Sequence, residues 1–167
     1  MQIWQKTHGE FNLAGTGNPA LLNLPMTAFF ASRQCPGTAI RAAMDWGLQQ
    51  ARAKATVIGG FHSPLEQSVL KVLLTAKSPA VVVLARPIQG AKLPPEWAEG
   101  LAHQHLAVVA ALSPSGRLTA ERAAQRNLLT AALSHAIVVA HASPGGGLAR
   151  QVAQWRQETD RPVAILG

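Results

Sequence analysis

Apolar residues in this chain come in short uninterrupted runs rather than in strict alternation with polar residues. The runs are Thr27–Ser32, Ala55–Gly60, Ala80–Ala85, Leu106–Leu112, Ala136–His141 and Pro162–Leu166. Runs of this kind are typical of parallel strands that helices cover on both faces. They begin about 25 to 30 residues apart, which is the length of a strand–helix–strand unit. The pattern predicts a Rossmann-like, doubly wound α/β fold, whose mostly parallel sheet has about six strands with helices on both faces.

Helices are predicted between most of these runs. They are Thr38–Arg52, Leu65–Ala76, Ala120–Ser134 and Leu148–Glu158. Ser63 is the expected N-cap of the second helix, with Glu66 three residues further on, and Thr119 is the expected N-cap of the third. The segment Pro87–Gly100 contains three prolines. It is therefore predicted to be a loop with a short helix around Glu96–Leu101.

Residues 1–26 hold several turn residues, among them Gly15, Gly17 and Pro25, and we predict an irregular lead-in there. Residues 27–167 are predicted to form a single domain, because a chain of this length can bury one sizeable core. No apolar stretch approaches the roughly 20 residues of a membrane span, and the N-terminus lacks the features of an export signal. Cys35, the one cysteine, suits a reducing compartment. We therefore expect a cytoplasmic protein with no membrane partner.

The charge balance is basic. Fifteen lysines and arginines oppose eight acidic residues, which gives a formal charge of +7. Ten of the fifteen are arginines, the residue type best suited to planar, two-pronged contact with phosphate. This composition favours an anionic partner, but an arginine- and alanine-rich composition also follows from a GC-rich genome. The charge alone leaves both interpretations open.

Unusual residues follow the predicted strands, at the sheet edge where open parallel sheets bind their ligands. Five consecutive strand ends offer hydroxyl groups, guanidinium groups, imidazoles or glycines there. The candidate ligand-binding residues of this edge are Ser32, Arg33, Gly37, Gly59, Gly60, His62, Ser63, Glu66, Arg86, Ser113, Arg117, His141, Gly145, Gly146 and Gly147. Glycines let the backbone approach a phosphate closely, and the following helix offers N–H groups and the positive end of its dipole. The edge is predicted to hold the phosphate of a nucleotide or of a nucleic-acid strand.

Each of these turns, taken singly, also serves simply to join a strand to a helix, so it is their coincidence that favours an anion site. The chain has neither a GxGxxG after its first predicted strand nor a GxxxxGK[ST], which argues against standard dinucleotide and P-loop sites. Arg126 and Asn127 are added to the candidate ligand-binding residues, and Arg122 lies on the same helix face as Arg126. This row either holds a phosphate backbone or forms a solvated face with Glu121.

Three further groups keep two interpretations each. Cys35, beside Arg33 and a helix start, is either a reactive thiol with a lowered pKa or a small residue in a turn. His103 and His105 are either metal ligands or surface residues. Glu66 either caps its helix or contacts a ribose hydroxyl. No catalytic residue, cofactor or metal is assigned from the sequence.

Several of these segments, taken together, resemble the Rossmann domain of the bacterial DNA-processing protein A family, within the wider SLOG superfamily. Ser32-Arg33 resembles the family's Gly-Ser-Arg after its first strand, and Gly59–Glu66 resembles its Ser-Gly-x-Ala-x-Gly-Ile-Asp segment. Arg126–Leu129 resembles its Arg-Asn-Arg-Ile segment, and Gly145–Leu148 resembles its Ser-Gly-Ser-Leu turn. The resemblance covers Thr27–Gly167. It implies a small stand-alone relative that binds a nucleotide or single-stranded DNA and pairs into a homodimer.

The chain also departs from the family pattern. Leu128 replaces the second arginine of Arg-Asn-Arg, and Glu66 replaces the aspartate. The superfamily's LOG hydrolases carry a Pro-Gly-Gly-x-Gly-Thr-x-x-Glu loop, and its counterpart, Pro144–Gln151, lacks the catalytic glutamate. This absence argues against an enzyme. Three hypotheses remain: a single-stranded DNA-binding module, a free-nucleotide sensor, and a LOG-like nucleotide N-glycoside hydrolase.

Overall fold

A computed structural model describes residues 1–112, 119–158 and 160–167, apart from the side chain of Thr119. The described strands are β1 (Trp4–His8), β2 (Phe11–Gly17), β3 (Met26–Phe30), β4 (Thr56–Gly59), β5 (Ala80–Val83), β6 (Leu106–Ala111), β7 (Ala136–Val139) and β8 (Val163–Ile165). The helices are α1 (Gly37–Ala53), α2 (Pro64–Thr75), α3 (Ala98–Ala102), α4 (Thr119–Leu133) and α5 (Gly147–Gln157), with 3₁₀ turns at Pro19–Asn23 and Pro95–Trp97. Within this part of the chain, no helix has the length and apolar character needed to cross a membrane.

One sheet holds all eight of these strands, in the order β1-β2-β6-β5-β4-β3-β7-β8. The strands from β3 to β8 are mutually parallel, and β1 and β2 are antiparallel additions at one edge. The prediction of a Rossmann-like, mostly parallel sheet is confirmed, with two strands more than the six expected. Because β3 lies between β4 and β7, the strand order reverses at β3. Such a reversal opens a crevice at the carboxyl ends of the strands.

The prediction of an irregular lead-in over residues 1–26 is wrong for β1 and β2. A two-residue turn at Gly9-Glu10 joins them, and β2 pairs with β6 through residues distant in sequence. Gly15 lies within β2, and the Trp4 ring packs directly over it. A Cβ on Gly15 would lie 2.5 Å from that ring, so the position requires glycine. The Trp4 indole N–H also donates to the Gly17 carbonyl at 3.0 Å. These glycines therefore serve packing between strands rather than a turn.

The central strands bury side chains on both of their faces, as the uninterrupted apolar runs predict. Phe29 points to the face covered by α1 and α2, where its ring stacks on Trp46 with centroids 5.1 Å apart. Phe30 points to the face covered by α4 and α5, where its ring lies 4.8 Å from Trp155. Alternate residues of one strand thus belong to two separate hydrophobic layers.

The predicted helices between the strands are present, with ends shifted by a few residues. The predicted loop over Pro87–Gly100 contains no strand, and its short helix is α3, preceded by the 3₁₀ turn Pro95–Trp97. The strands end earlier than the apolar runs suggest: β7 stops at Val139, two residues before His141. Ser113 and Arg117, two candidate ligand-binding residues, lie outside the described residues.

Candidate functional site

The crevice between the ends of β3 and β7 is held together by hydrogen bonds beyond the regular ladder. The Ala140 N–H donates to the Phe30 carbonyl, and the Ser32 N–H donates to the His141 carbonyl, each at 2.9 Å. The Ser143 N–H then donates to the Ser32 hydroxyl oxygen at 2.8 Å. Two chain segments more than one hundred residues apart in sequence thereby form one continuous wall. The structure brings Ser32 and His141 together, as the argument from strand ends predicts.

The glycine run after β7 forms the start of α5 beside this wall. Gly145 has φ +76°, a left-handed conformation that favours glycine, and a Cβ there would meet no other atom within 4 Å. Gly146 is the N-cap, and the Arg150 guanidinium donates to the Gly145 carbonyl at 3.0 Å. Gly147 is the first residue of α5. The N–H groups of a first helical turn have no acceptor within the helix, so this turn offers donors to an anion.

Glu66 is the structural centre of the neighbouring strand end. Its side chain is only 7% exposed. One carboxylate oxygen accepts from the N–H groups of His62 and Ser63, both at 2.9 Å, and the other accepts from the Ala31 N–H at 3.0 Å. The predicted capping role is confirmed. Because both oxygens are engaged, Glu66 acts as a support that positions the ends of β3 and β4 rather than as a group that faces a ligand.

The turn after β4 brings the backbone into unusually close contact with α4. A Cβ on Gly60 would lie 2.5 Å from Nε of Arg126, so only glycine allows the guanidinium to cross the end of β4. The next residue, Phe61, is buried and has φ +48°. This region costs a residue with a side chain about 1–3 kcal/mol, and such strain is concentrated at functional sites.

Arg126 is the cation that this turn receives. Its Nη2 donates to Oδ1 of Asn127 at 3.3 Å, whereas Nε is buried and has no hydrogen-bond partner within the described residues. Burial lowers the pKa of the Arg126 guanidinium, and the negative charge of Glu66 acts in the opposite direction. An arginine stays charged under such conditions. Arg126 is only partly buried and lines a pocket, so its incompletely satisfied guanidinium group is suited to receive an anion.

Asn127 has a different role from its neighbour. Its side-chain amide donates to Oε1 of Gln151 at 3.0 Å, and the Gln151 amide donates to the Ala124 carbonyl at 3.1 Å. These bonds join α4 to the beginning of α5. Asn127 therefore fixes the position of two helices beside the crevice. Gln151 was not among the predicted residues, because its contribution depends on a contact between helices that no local sequence motif marks.

The remaining predicted residues are dispersed. Arg33, Gly37 and His62 are exposed at the rim of the crevice. Arg86 follows β5, which β4 separates from β3, and its guanidinium donates to the Lys92 carbonyl at 3.3 Å. The structure therefore groups the ends of β3, β4 and β7 with α4, and it leaves Arg86 outside this group.

Cys35 lies at the crevice but lacks the chemistry of an activated nucleophile. Its thiol donates to the Ser32 carbonyl at 3.2 Å. Burial, followed by the charge of Glu66, raises the pKa of Cys35 above its ordinary value. A thiol with a raised pKa is protonated at neutral pH and reacts slowly. The interpretation of Cys35 as a small residue in a turn is thus the better one.

A protein-family model matches the sequence of this chain. The family model described as DNA recombination-mediator protein A matches residues 5–167. The comparison with curated protein sequences gives no match. The family match includes nearly the whole described sheet and every element of the crevice.

Two solved structures of that kind share the fold. DNA processing protein A from Streptococcus pneumoniae is 18% identical with a TM-score of 0.73, and the alignment covers 93% of this chain and 55% of that one. The Helicobacter pylori protein, whose structure concerns its single-stranded DNA binding mode, is 14% identical with a TM-score of 0.78 and coverages of 98% and 80%. This chain thus spans about half of the length of the Streptococcus protein.

The same fold occurs in a second group of proteins. The molybdenum cofactor binding protein from Rippkaea orientalis is 14% identical with a TM-score of 0.60, and the alignment covers 85% of this chain and 76% of that one. At these identities a structural likeness shows the fold alone, whereas the family model matches the sequence over almost its entire length. The chain belongs to the DNA recombination-mediator protein A family.

Proposed function

We propose that this protein binds single-stranded DNA by its phosphates in the crevice at the ends of β3, β4 and β7. The observation that carries the proposal is Arg126, whose buried Nε lies against Gly60 without a hydrogen-bond partner in the described chain. The glycine turn at the start of α5 adds backbone donors nearby. The net charge of +7 favours approach of a polyanion. Membership of the family and the Helicobacter pylori structure, which concerns single-stranded DNA binding, agree with this ligand.

The proposal is tested by fluorescence anisotropy with a labelled oligothymidine at several salt concentrations. We expect binding that weakens as salt increases, because phosphate contacts release counterions. Arg126→Ala should weaken binding about thirtyfold or more, since truncating one partner of a desolvated charge pair costs about 2 kcal/mol or more. Arg156→Ala, which removes an exposed arginine from the last turn of α5, is the matched control. Equal losses in the two variants, or no binding at low salt, would contradict the proposal.

A free mononucleotide is the second candidate ligand. The compact turn over Gly145–Gly147 favours it, because one phosphate can fill the donors of a single helix start. A melting-temperature screen with mononucleotides tests this candidate, since a ligand that binds only the folded state raises the melting temperature by mass action. Stabilisation by a mononucleotide without any oligonucleotide binding would replace the first proposal by the second.

A further inference from the structure

Helices α1 and α2 lie side by side and leave a groove on their outer surface, away from the crevice. Its volume is about 700 Å³. Met44 and Leu48 of α1 and Val72 of α2 line its apolar part. We call this surface the α1–α2 groove. It begins beyond the first two turns of α1, whereas the crevice lies at that helix's N-terminus, so the two surfaces are separate.

The apolar part of the groove is not explained by the fold. Leu48 is 43% exposed, and so is Ile40, two turns earlier on α1. Ile40, Met44 and Leu48 are spaced by four residues, so they form one stripe along the helix. α1 already buries another row of small residues, Ala39, Ala43, Gly47 and Ala51, of which Ala51 also lines the groove. A second apolar stripe, concave and open to solvent, indicates a surface for another molecule.

The charges around the groove are all of one sign. Among the residues that the structure describes, Arg52, Lys54 and Lys71 line it, and no acidic residue does. Lys54 donates to the Ala76 carbonyl, which ties the end of α1 to the end of α2. In the described parts of the chain, Lys77 forms an ion pair with Glu99, and none of these three cations forms one. The groove therefore combines apolar contact area with positive charge that lacks a carboxylate partner.

We propose that the α1–α2 groove binds an acidic amphipathic helix of a partner protein. The lining residues extend from Met44 of α1 to Lys54, which caps the end of that helix. This distance is about 15 Å, which accommodates roughly three turns of a second helix. Such a helix would place apolar side chains at i, i+3 or i+4 and i+7 into the groove and carboxylates against the three cations. A second copy of this chain would bring like charges together. A membrane surface would favour projecting rather than concave apolar residues.

The probe is a fluorescein-labelled peptide of about 18 residues, long enough to form a helix on binding, with leucines at the stated spacing and glutamates elsewhere. Its control is a peptide of the same composition permuted to have no apolar face. We expect the first peptide to bind in anisotropy titrations and the second to bind at least tenfold more weakly. Leu48→Gln and Lys71→Glu should each weaken binding about tenfold, whereas DNA binding stays unchanged.

Matched variants elsewhere on the surface separate groove binding from general attraction to a basic protein. Leu24→Gln changes a leucine that is 42% exposed, and Arg156→Glu reverses an exposed cation on α5. Neither variant should change the affinity for the amphipathic peptide. Equal binding of both peptides, or equal losses in the groove and control variants, would overturn the proposal. So would Leu48-dependent self-association in sedimentation, or Leu48-dependent binding to anionic phospholipid vesicles without peptide binding.

Discussion

Two glycines in this molecule make room for a neighbouring side chain in the same way, but the two neighbours differ in whether their polar atom has a hydrogen-bond partner. At the β1–β2 hairpin, a Cβ on Gly15 would lie 2.5 Å from the Trp4 ring; at the crevice, a Cβ on Gly60 would lie 2.5 Å from the Arg126 Nε. The indole of Trp4 has its hydrogen bond, to Gly17, but the Arg126 Nε has no partner in the described chain. Close packing over glycine therefore indicates a binding site only where the neighbour is left with an unused polar atom.

The largest expected effect concerns the support beneath the crevice. Glu66→Ala should lower the free energy of unfolding by about 3 kcal/mol or more, because it removes the acceptor of three N–H groups, of Ala31, His62 and Ser63. Chemical denaturation measures this change in the free energy of unfolding. Glu66→Gln keeps an acceptor oxygen and should lose less. If Glu66→Ala left stability unchanged while DNA binding was lost, Glu66 would be a ligand contact rather than a support.

The hairpin side of the comparison is tested by Gly15→Ala. The added Cβ would also lie 2.8 Å from the Val108 carbonyl oxygen, and neither the backbone nor a packed indole can yield easily. We expect a loss of about 2 kcal/mol in stability, as in other overpacked positions. DNA affinity, measured well below the melting temperature, should not change. A loss of affinity in the folded variant would show that the hairpin takes part in binding.

Gly60→Ala tests the crevice side and should have the reverse outcome. The atoms that meet its Cβ belong to the flexible end of Arg126, so the side chain moves away and stability falls by less than about 1 kcal/mol. DNA affinity should fall about tenfold, or about 1.4 kcal/mol. The control is a double-mutant cycle: in an Arg126→Ala background, Gly60→Ala should add no further loss. An additive loss would mean that Gly60 contacts the ligand itself.

The smallest effect comes from a third glycine contact, at the opposite end of the sheet. A Cβ on Gly100 would lie 3.2 Å from the His105 ring, and both ring nitrogens are buried without a partner in the described chain. Burial lowers the pKa of His105, Glu99 opposes this, and His103, Lys77 and Lys54 reinforce it. The folded state thus prefers the neutral ring, which offers no charge to an anion.

The preference of the folded state for neutral His105 is tested by measuring stability as the pH is lowered. As the pH falls below the ordinary histidine pKa of about 6.5, His105 becomes protonated in the unfolded chain but stays neutral in the folded protein. The free energy of unfolding therefore declines until the pH reaches the lowered pKa of folded His105. His105→Leu should show a shallower decline in denaturation midpoint between neutral and acidic pH. Identical pH profiles for the two proteins would show that His105 is well solvated.

Features set by local chemistry were predictable from the sequence. The central strands are covered by helices on both faces, so their sequences are apolar runs that can be recognised locally. The cap of α2 is likewise predicted by Ser63 followed by Glu66. The hairpin was missed because β2 owes its existence to pairing with β6, nearly one hundred residues away. The position of Arg126 could not be predicted from the sequence either, since it depends on how α4 lies across the end of β4.

The carboxylate of Glu66 also has a dynamic consequence. It accepts from backbone N–H groups just beyond the ends of β3 and β4, which are neighbours in the sheet, and Ala31 precedes Glu66 by 35 residues in the chain. Because the N–H groups of Ala31, His62 and Ser63 share this one acceptor side chain, we expect their amide hydrogens to exchange with solvent as one unit. We therefore expect local opening of the crevice to depend on how often the Glu66 side chain leaves these N–H groups.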